Sequence, residues 1–314
     1  MAPATKRDLL SIADIEAELP GLLVRAHEMK MARRRGDPSG SRPGTNLAMI
    51  FEKSSTRTRT SFEVAMNDLG GHALFLGARD LQLGRGETIA DTARVLSRYV
   101  DAIAYRAHRA TDMAELARWA SVPVINALDD REHPCQIVAD LLTLYELWDG
   151  HFAGRTFVYV GDGNNVCASL VLGCALVGLD FVGAVPAAYR PPEAIRTRAE
   201  GYARVRGSRI RFVESPAEAA AEADILYTDV WVSMGDEAQA ESRLRDFAGY
   251  VLNEELLARA RPGCRVMHDL PAHRGLEITD AVMDGPQSIV FDQAENRLHA
   301  QKAILEMLLP VRGR

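Results

Sequence analysis

Short apolar runs alternate with longer amphipathic stretches along most of this chain, and that alternation restricts the fold more than any single residue does. The apolar run 47–51 reads as a strand, followed by a polar turn and a helix carrying Phe62, Val64, Met66 and Leu69. The pattern repeats as strand 73–76, helix 89–99, strand 102–105, helix 113–119, strand 124–126 and helix 136–147. Strands separated by helices cannot pair as hairpins, so the sheet they form is parallel. A polar break at 148–155 precedes a second set: strand 156–161, helix 165–177 and strand 181–185, then strands at 210–213, 225–227, 265–268 and 288–291, with a final amphipathic helix at 296–309. The expected fold is α/β, two doubly wound parallel-sheet domains with the active site in the crevice between them, at the carboxyl ends of the strands. The expected divisions are 1–147, 148–290 and a C-terminal helix, 291–314, that packs back on the first domain.

Ahead of the first strand, Ile12, Ile15, Leu19, Leu22, Leu23, Ala26 and Met29 share one helical face, and Arg33, Arg34 and Arg35 close that helix where cations suit its dipole. The N-terminus lacks the uninterrupted apolar core of a secretory signal. The longest apolar tract, 170–185, contains Gly173, Gly178 and Asp180 and is too short to span a bilayer, so no membrane partner is expected. Lys and Arg total 37 against 43 Asp and Glu, a net charge of -6, which leaves no cationic surplus for a nucleic-acid backbone. Cys135, Cys167, Cys174 and Cys264 are scattered without CxxC spacing, the pattern of a reduced cytoplasmic protein with no disulfide framework and no structural zinc.

Chemistry concentrates at strand ends. Ser54-Ser55-Thr56-Arg57-Thr58-Arg59 follows strand 47–51 and opens a helix, so unpaired backbone N–H groups, three hydroxyls and the Arg57 fork converge on a place suited to a dianion. An N-cap with solvated arginines is the plainer reading of the same residues. His133 and Gln136, in His133-Pro134-Cys135-Gln136, and Arg106, after strand 102–105, can donate to a carbonyl oxygen. Gly161-Asp162-Gly163-Asn164-Asn165 has the look of a dinucleotide turn, but Val166 stands where the third glycine belongs and no ribose-binding carboxylate follows the next strand. Its asparagines suit a substrate carboxylate instead. Asp229 and Ser233, in Asp229-Val230-Trp231-Val232-Ser233-Met234-Gly235, put a carboxylate and a hydroxyl on one loop, fitting an ammonium group. His268-Asp269-Leu270-Pro271-Ala272 and Glu295-Asn296-Arg297 add another strand-end loop and another arginine.

These segments, in this order, resemble the ornithine carbamoyltransferases. Ser-Thr-Arg-Thr-Arg and His-Pro-x-Gln mark the carbamoyltransferase superfamily, and Asp229 with Ser233-Met234-Gly235 points to the ornithine branch. The resemblance implies transfer of the carbamoyl group of carbamoyl phosphate to L-ornithine, giving citrulline and phosphate in arginine biosynthesis, with no cofactor and no metal. It implies that Ser55, Thr56, Arg57, Thr58 and Arg297 hold the phosphate, that Arg106, His133 and Gln136 surround the carbamoyl group, and that the Leu270 carbonyl accepts from its amide. Asn165, Asp229, Ser233 and Met234 would hold ornithine, with Thr58, Arg106, His133 and Asp269 beside the reacting atoms. Gln82 would reach a neighbouring subunit's site, in a homotrimer with shared active sites. Asp269 departs from the pattern, since the ornithine branch carries cysteine there. A carboxylate beside Asp229 must either take a proton or find a cation, which leaves open a related enzyme acting on another amine. A nucleotide-dependent dehydrogenase and a non-catalytic ligand-binding protein are the alternatives from other classes.

Overall fold

The computed structural model describes residues 6–37, 40–77, 81–83, 86–232 and 237–311. After a short 3-10 turn at Ile12–Ile15, helix α1 (Leu19–Arg34) leads into β1 (Asn46–Phe51), α2 (Thr56–Asp68), β2 (His72–Gly77), α3 (Ile89–Leu96), β3 (Ala102–Arg106), α4 (Ala110–Trp119), β4 (Val124–Leu128) and α5 (Pro134–Trp148). All pairings are parallel and the strand order is β2-β1-β3-β4. The connections run to opposite sides at β1 and β3, so the loops after these two strands diverge around a topological switch point, where doubly wound sheets take ligands. Register aligns Phe51 with Arg106 and Arg106 with Leu128, which brings the β1, β3 and β4 loops out along one edge.

The second set comprises β5 (Thr156–Val160), α6 (Asn165–Val177), β6 (Asp180–Ala184), α7 (Glu193–Arg206), β7 (Ile210–Val213), α8 (Pro216–Ala220), β8 (Ile225–Thr228), α9 (Ala240–Asp246), α10 (Glu254–Leu257), β9 (Arg265–His268), α11 (Asp280–Met283) and α12 (Val290–Leu308). Its five parallel strands run β7-β6-β5-β8-β9, with the switch between β5 and β8. Each sheet has its own buried apolar core, Ile50, Ile103 and Met113 contributing to one and Val158, Leu226 and Val266 to the other.

The chain divides into two compact units, one running to Leu142 and including everything from Asn296 onward, the other Thr143–Glu295. Both divisions fall inside helices, α5 and α12, the same two helices whose ends hold the expected divisions at 147/148 and 290/291. Within the first unit, α12 is tied down by charge. Arg25 makes two bonds to Glu306 at 2.7 and 3.0 Å, Lys302 meets Asp68 at 3.0 Å, and the buried Lys30 ammonium donates to Asn296 at 2.8 Å.

The expected apolar face of the N-terminal helix is buried throughout, though Ile12 and Ile15 belong to the 3-10 turn that precedes α1. The strand expected at 288–291 does not form. Ser288 makes a single bridge to Val266 and α12 begins at Val290, six residues before the expected start at 296. Ser-Ile-Val-Phe is too short an apolar run for periodicity to separate a strand from the first turn of a buried helix. The helix expected at 89–99 ends earlier, at Leu96.

Candidate active site

Thr58, Arg106, His133, Gln136 and Arg297 are among the polar side chains buried in the first unit. Burial of such groups is tolerated only with hydrogen-bond partners. The Arg297 guanidinium supplies them, donating through Nη2 to Thr58 Oγ1 at 2.9 Å and through Nη1 to Gln136 Oε1. Gln136 passes the chain on, its Nε2 donating to Asp140 Oδ1 at 2.9 Å. Thr58 lies in the first turn of α2, whose N-cap is Ser55, with the Ser55 hydroxyl accepting from the Thr58 N–H at 3.3 Å. The amides of Thr56 and Arg57 also belong to that first turn, where no intrahelical acceptor exists.

His133 immediately precedes α5, on the loop after β4. Burial first, then the nearby Arg297 and Arg106 charges, hold its pKa well below the ordinary histidine range, so the ring is neutral and offers one N–H donor. Asp129 shapes the loop that delivers it. Its Oδ1 accepts the N–H groups of Arg131 and Glu132, each at 2.8 Å, while Asn126 Nδ2 donates to Oδ2 at 3.0 Å. Of the expected donor residues, the fold thus joins Thr58, Gln136 and Arg297 by direct bonds and sets His133 within the field of Arg106 and Arg297. Gln82 stands apart, exposed in the bend that follows β2.

In the second unit the turn after β5 carries its glycines for local reasons. Gly161 adopts φ +131, and a Cβ on Gly163 would lie 2.1 Å from the Tyr189 carbonyl oxygen. Asp162 is buried and accepts from Arg243 Nη1 at 2.9 Å, and the same nitrogen donates to the Trp231 carbonyl at 3.1 Å, fastening the loop after β8 to the end of β5. Asn164 caps α6, its Oδ1 accepting from Val166 and Cys167, and its Nδ2 donates to Asp229 Oδ2 at 2.8 Å. It is therefore Asn164 that bonds Asp229, while Asn165 is the half-buried first residue of the helix. Ser233 and Met234 lie outside the described residues.

Asp229 and Asp269 each follow one end of the register pair Thr228 and His268 on adjacent strands. Burial first, then the charge on Asp269, pushes the Asp229 pKa up to about 7. Within this carboxylate pair Asp229 therefore holds a proton more readily than a free carboxylate does. Arg106, Asp129 and Asp229 all sit at strand ends, but the partners Asp140 and Arg243 carry no motif, and Asn164, though part of the segment 161–165, was not expected to bond Asp229. Only the rule that Asn precedes a helix start could have pointed to Asn164.

Residues 7–146 match the carbamoyl-P binding domain of the aspartate/ornithine carbamoyltransferases, and residues 153–308 match the Asp/Orn binding domain. The ornithine carbamoyltransferase of Methanosarcina mazei is 53% identical over 305 residues, covering 97% of this chain and 99% of that protein. The anabolic ornithine carbamoyltransferase of Pyrococcus furiosus is 52% identical over 304 residues, 96% of each chain. A solved structure of ornithine carbamoyltransferase from Pyrococcus furiosus superposes with a TM-score of 0.93 at 51% identity, covering 97% of both chains.

Proposed function

The chain belongs to the aspartate/ornithine carbamoyltransferase family, and from that premise we propose that it transfers the carbamoyl group of carbamoyl phosphate to the side-chain amine of L-ornithine, giving citrulline and phosphate. The observation that carries this reading is identity above half, from end to end, with ornithine carbamoyltransferases. Most of the donor site is assigned to the first unit. The first turn of α2, with Ser55, Thr56, Arg57 and Thr58, and the guanidinium of Arg297 hold the phosphate. Arg106, the neutral His133 and Thr58 direct their donors at the carbamoyl oxygen, and Gln136 and the Leu270 carbonyl attend its amide. Asn165, Asp229, Ser233 and Met234 hold the amino-acid end of ornithine, with Asp269 alongside.

The neutral amine attacks the carbamoyl carbon, the carbonyl electrons move onto oxygen, and the resulting oxyanion is stabilised by donors already in place. Collapse breaks the bond to the phosphate oxygen, phosphate leaves into its cationic cradle, and the proton that the amine loses passes to the departing phosphate. His133, being neutral, contributes a hydrogen bond without a further charge. The same reading makes the protein a cytoplasmic homotrimer serving arginine biosynthesis, with Gln82 reaching a neighbour's site. The anabolic naming of the Pyrococcus relative and the exposure of Gln82 support it. Among the described residues no helix is long and apolar enough to cross a membrane.

Steady-state assays with carbamoyl phosphate and a panel of ornithine, lysine and putrescine test the reaction. Citrulline is expected, with ornithine the preferred acceptor. Preference for another amine would favour the second reading, motivated by the Asp229 and Asp269 pair, of a carbamoyltransferase with a changed acceptor. Arg57→Ala tests the donor site. It removes one charge-assisted hydrogen bond to phosphate and should weaken carbamoyl-phosphate binding by about 1.5–3 kcal/mol. Unchanged donor affinity in a calorimetric titration would take Arg57 out of the site.

A further inference from the structure

The chain turns sharply after β9. Leu270 has φ +63, a left-handed conformation that a residue with a side chain disfavours, and its N–H donates to Nδ1 of His268 at 2.8 Å. A ring nitrogen that accepts carries no proton, so the single N–H of this imidazole is on Nε2. That nitrogen faces Glu277 Oε1 at 3.2 Å, and the same carboxylate oxygen accepts the His273 N–H. Both side chains are fully buried. The His268 backbone is held as well, its N–H donating to Gln293 Oε1 at 2.9 Å, with Gln293 Nε2 donating to the Tyr227 hydroxyl at 3.3 Å. The imidazole is thus fixed in tautomer and in angle, and its one acceptor nitrogen is spent on the backbone of the residue two positions on.

We infer that His268 and Glu277 are positioning residues for carbamoyl transfer: Glu277 fixes the Nε2-protonated imidazole of His268, and its Nδ1 clamps the turn that presents Asp269 and the Leu270 carbonyl to the reactants. The inference deepens the function proposed above and rests on it for the roles of Asp269 and Leu270. Neither member of the pair touches substrate. Their contribution is to hold a disfavoured backbone conformation before the substrates arrive, so that the turn needs no ordering in the transition state.

Four variants of the full chain separate this role from simple packing. In His268→Asn, Oδ1 takes the place of Nδ1 and can still accept the Leu270 N–H, as asparagine commonly does two residues along. His268→Gln keeps an amide donor near Glu277 and loses the acceptor near Leu270. Glu277→Gln keeps an acceptor for both N–H groups, and Glu277→Ala keeps none. His268→Gln and Glu277→Ala should lower kcat by about tenfold or more with the KM values for carbamoyl phosphate and ornithine moved less than about threefold, and His268→Asn and Glu277→Gln should recover most of that loss. Amide hydrogen exchange at Leu270 should accelerate in His268→Gln and stay slow in His268→Asn. Retention of kcat in His268→Gln, or losses in all four variants that simply follow their Tm, would overturn the inference. So would equal Leu270 exchange in the two His268 variants. That exchange comparison needs no activity, so a wild-type chain that made no citrulline would defeat the function proposed above while the clamp was still being read.

Discussion

Arg297→Met should lower kcat/KM for carbamoyl phosphate by at least about a hundredfold, which corresponds to about 2.7 kcal/mol, and should reduce thermal stability as well. Arg297 carries two kinds of interaction at once. Its fork satisfies Thr58 Oγ1 and Gln136 Oε1, both buried, and removing a donor from a buried acceptor costs about 1–3 kcal/mol each time. Its charge also acts on the substrate, where losing a charge-assisted bond to phosphate adds about 1.5–3 kcal/mol. The variant should raise the His133 pKa too, because the Arg297 charge is the second cause of its depression, after burial. Arg297→Lys restores charge without the fork and should fall between wild type and Met in both activity and Tm. Steady-state kinetics and a thermal melt on the three proteins decide the matter. A Met variant within about tenfold of wild type in kcat/KM would remove Arg297 from the donor site.

What could be read in advance, and what could not, follows from how each feature is encoded. Ser55, Arg57, Thr58, Arg106 and His133 lie directly after apolar runs, and a parallel sheet delivers its strand-end loops to one edge, so their grouping in the first unit was legible from spacing alone. Arg297 was noticed as a further arginine near the last helix, but its role came only through the resemblance, since no periodicity places a residue of that helix beside Thr58. The support behind these groups was not legible. Arg243 reaches Asp162 across 81 residues, and Glu277 reaches His268 around a loop with no repeating pattern. Such bonds depend on tertiary packing, and a hydrophobic period carries no record of them. Asn164 and Asn165 illustrate the same limit at close range. Both stand at the start of α6, and only the cap geometry decides which of them turns its amide to Asp229.

Asp229→Asn should abolish useful binding of the amino acid while making the folded chain more stable above neutral pH. The sign follows from the raised pKa. A carboxyl group whose pKa is about 7 in the folded chain, against an ordinary 3.8, is easier to keep protonated when folded than when unfolded. Its contribution to stability is therefore fully present below about pH 3.8 and is lost as pH rises through about 7, a loss bounded at about 4 kcal/mol by roughly 1.4 kcal/mol for each pH decade between the two values. Asparagine cannot ionise, so the variant escapes that loss, and its Tm should exceed that of wild type at pH 8 by more than at pH 5. Binding moves the other way. Wild type should hold an ornithine analogue that lacks the side-chain amine more tightly as pH rises through about 7, because the carboxylate that pairs with the α-ammonium forms there. The variant should bind it at least about tenfold more weakly at pH 8, with little pH dependence, and carbamoyl-phosphate affinity should be unchanged. Equal analogue affinity in the two proteins would show that Asp229 does not hold the amino acid. A variant less stable than wild type at pH 8 would show instead that the ionised carboxylate is well accommodated where it lies, and that the Asp269 charge beside it is neutralised by some other group.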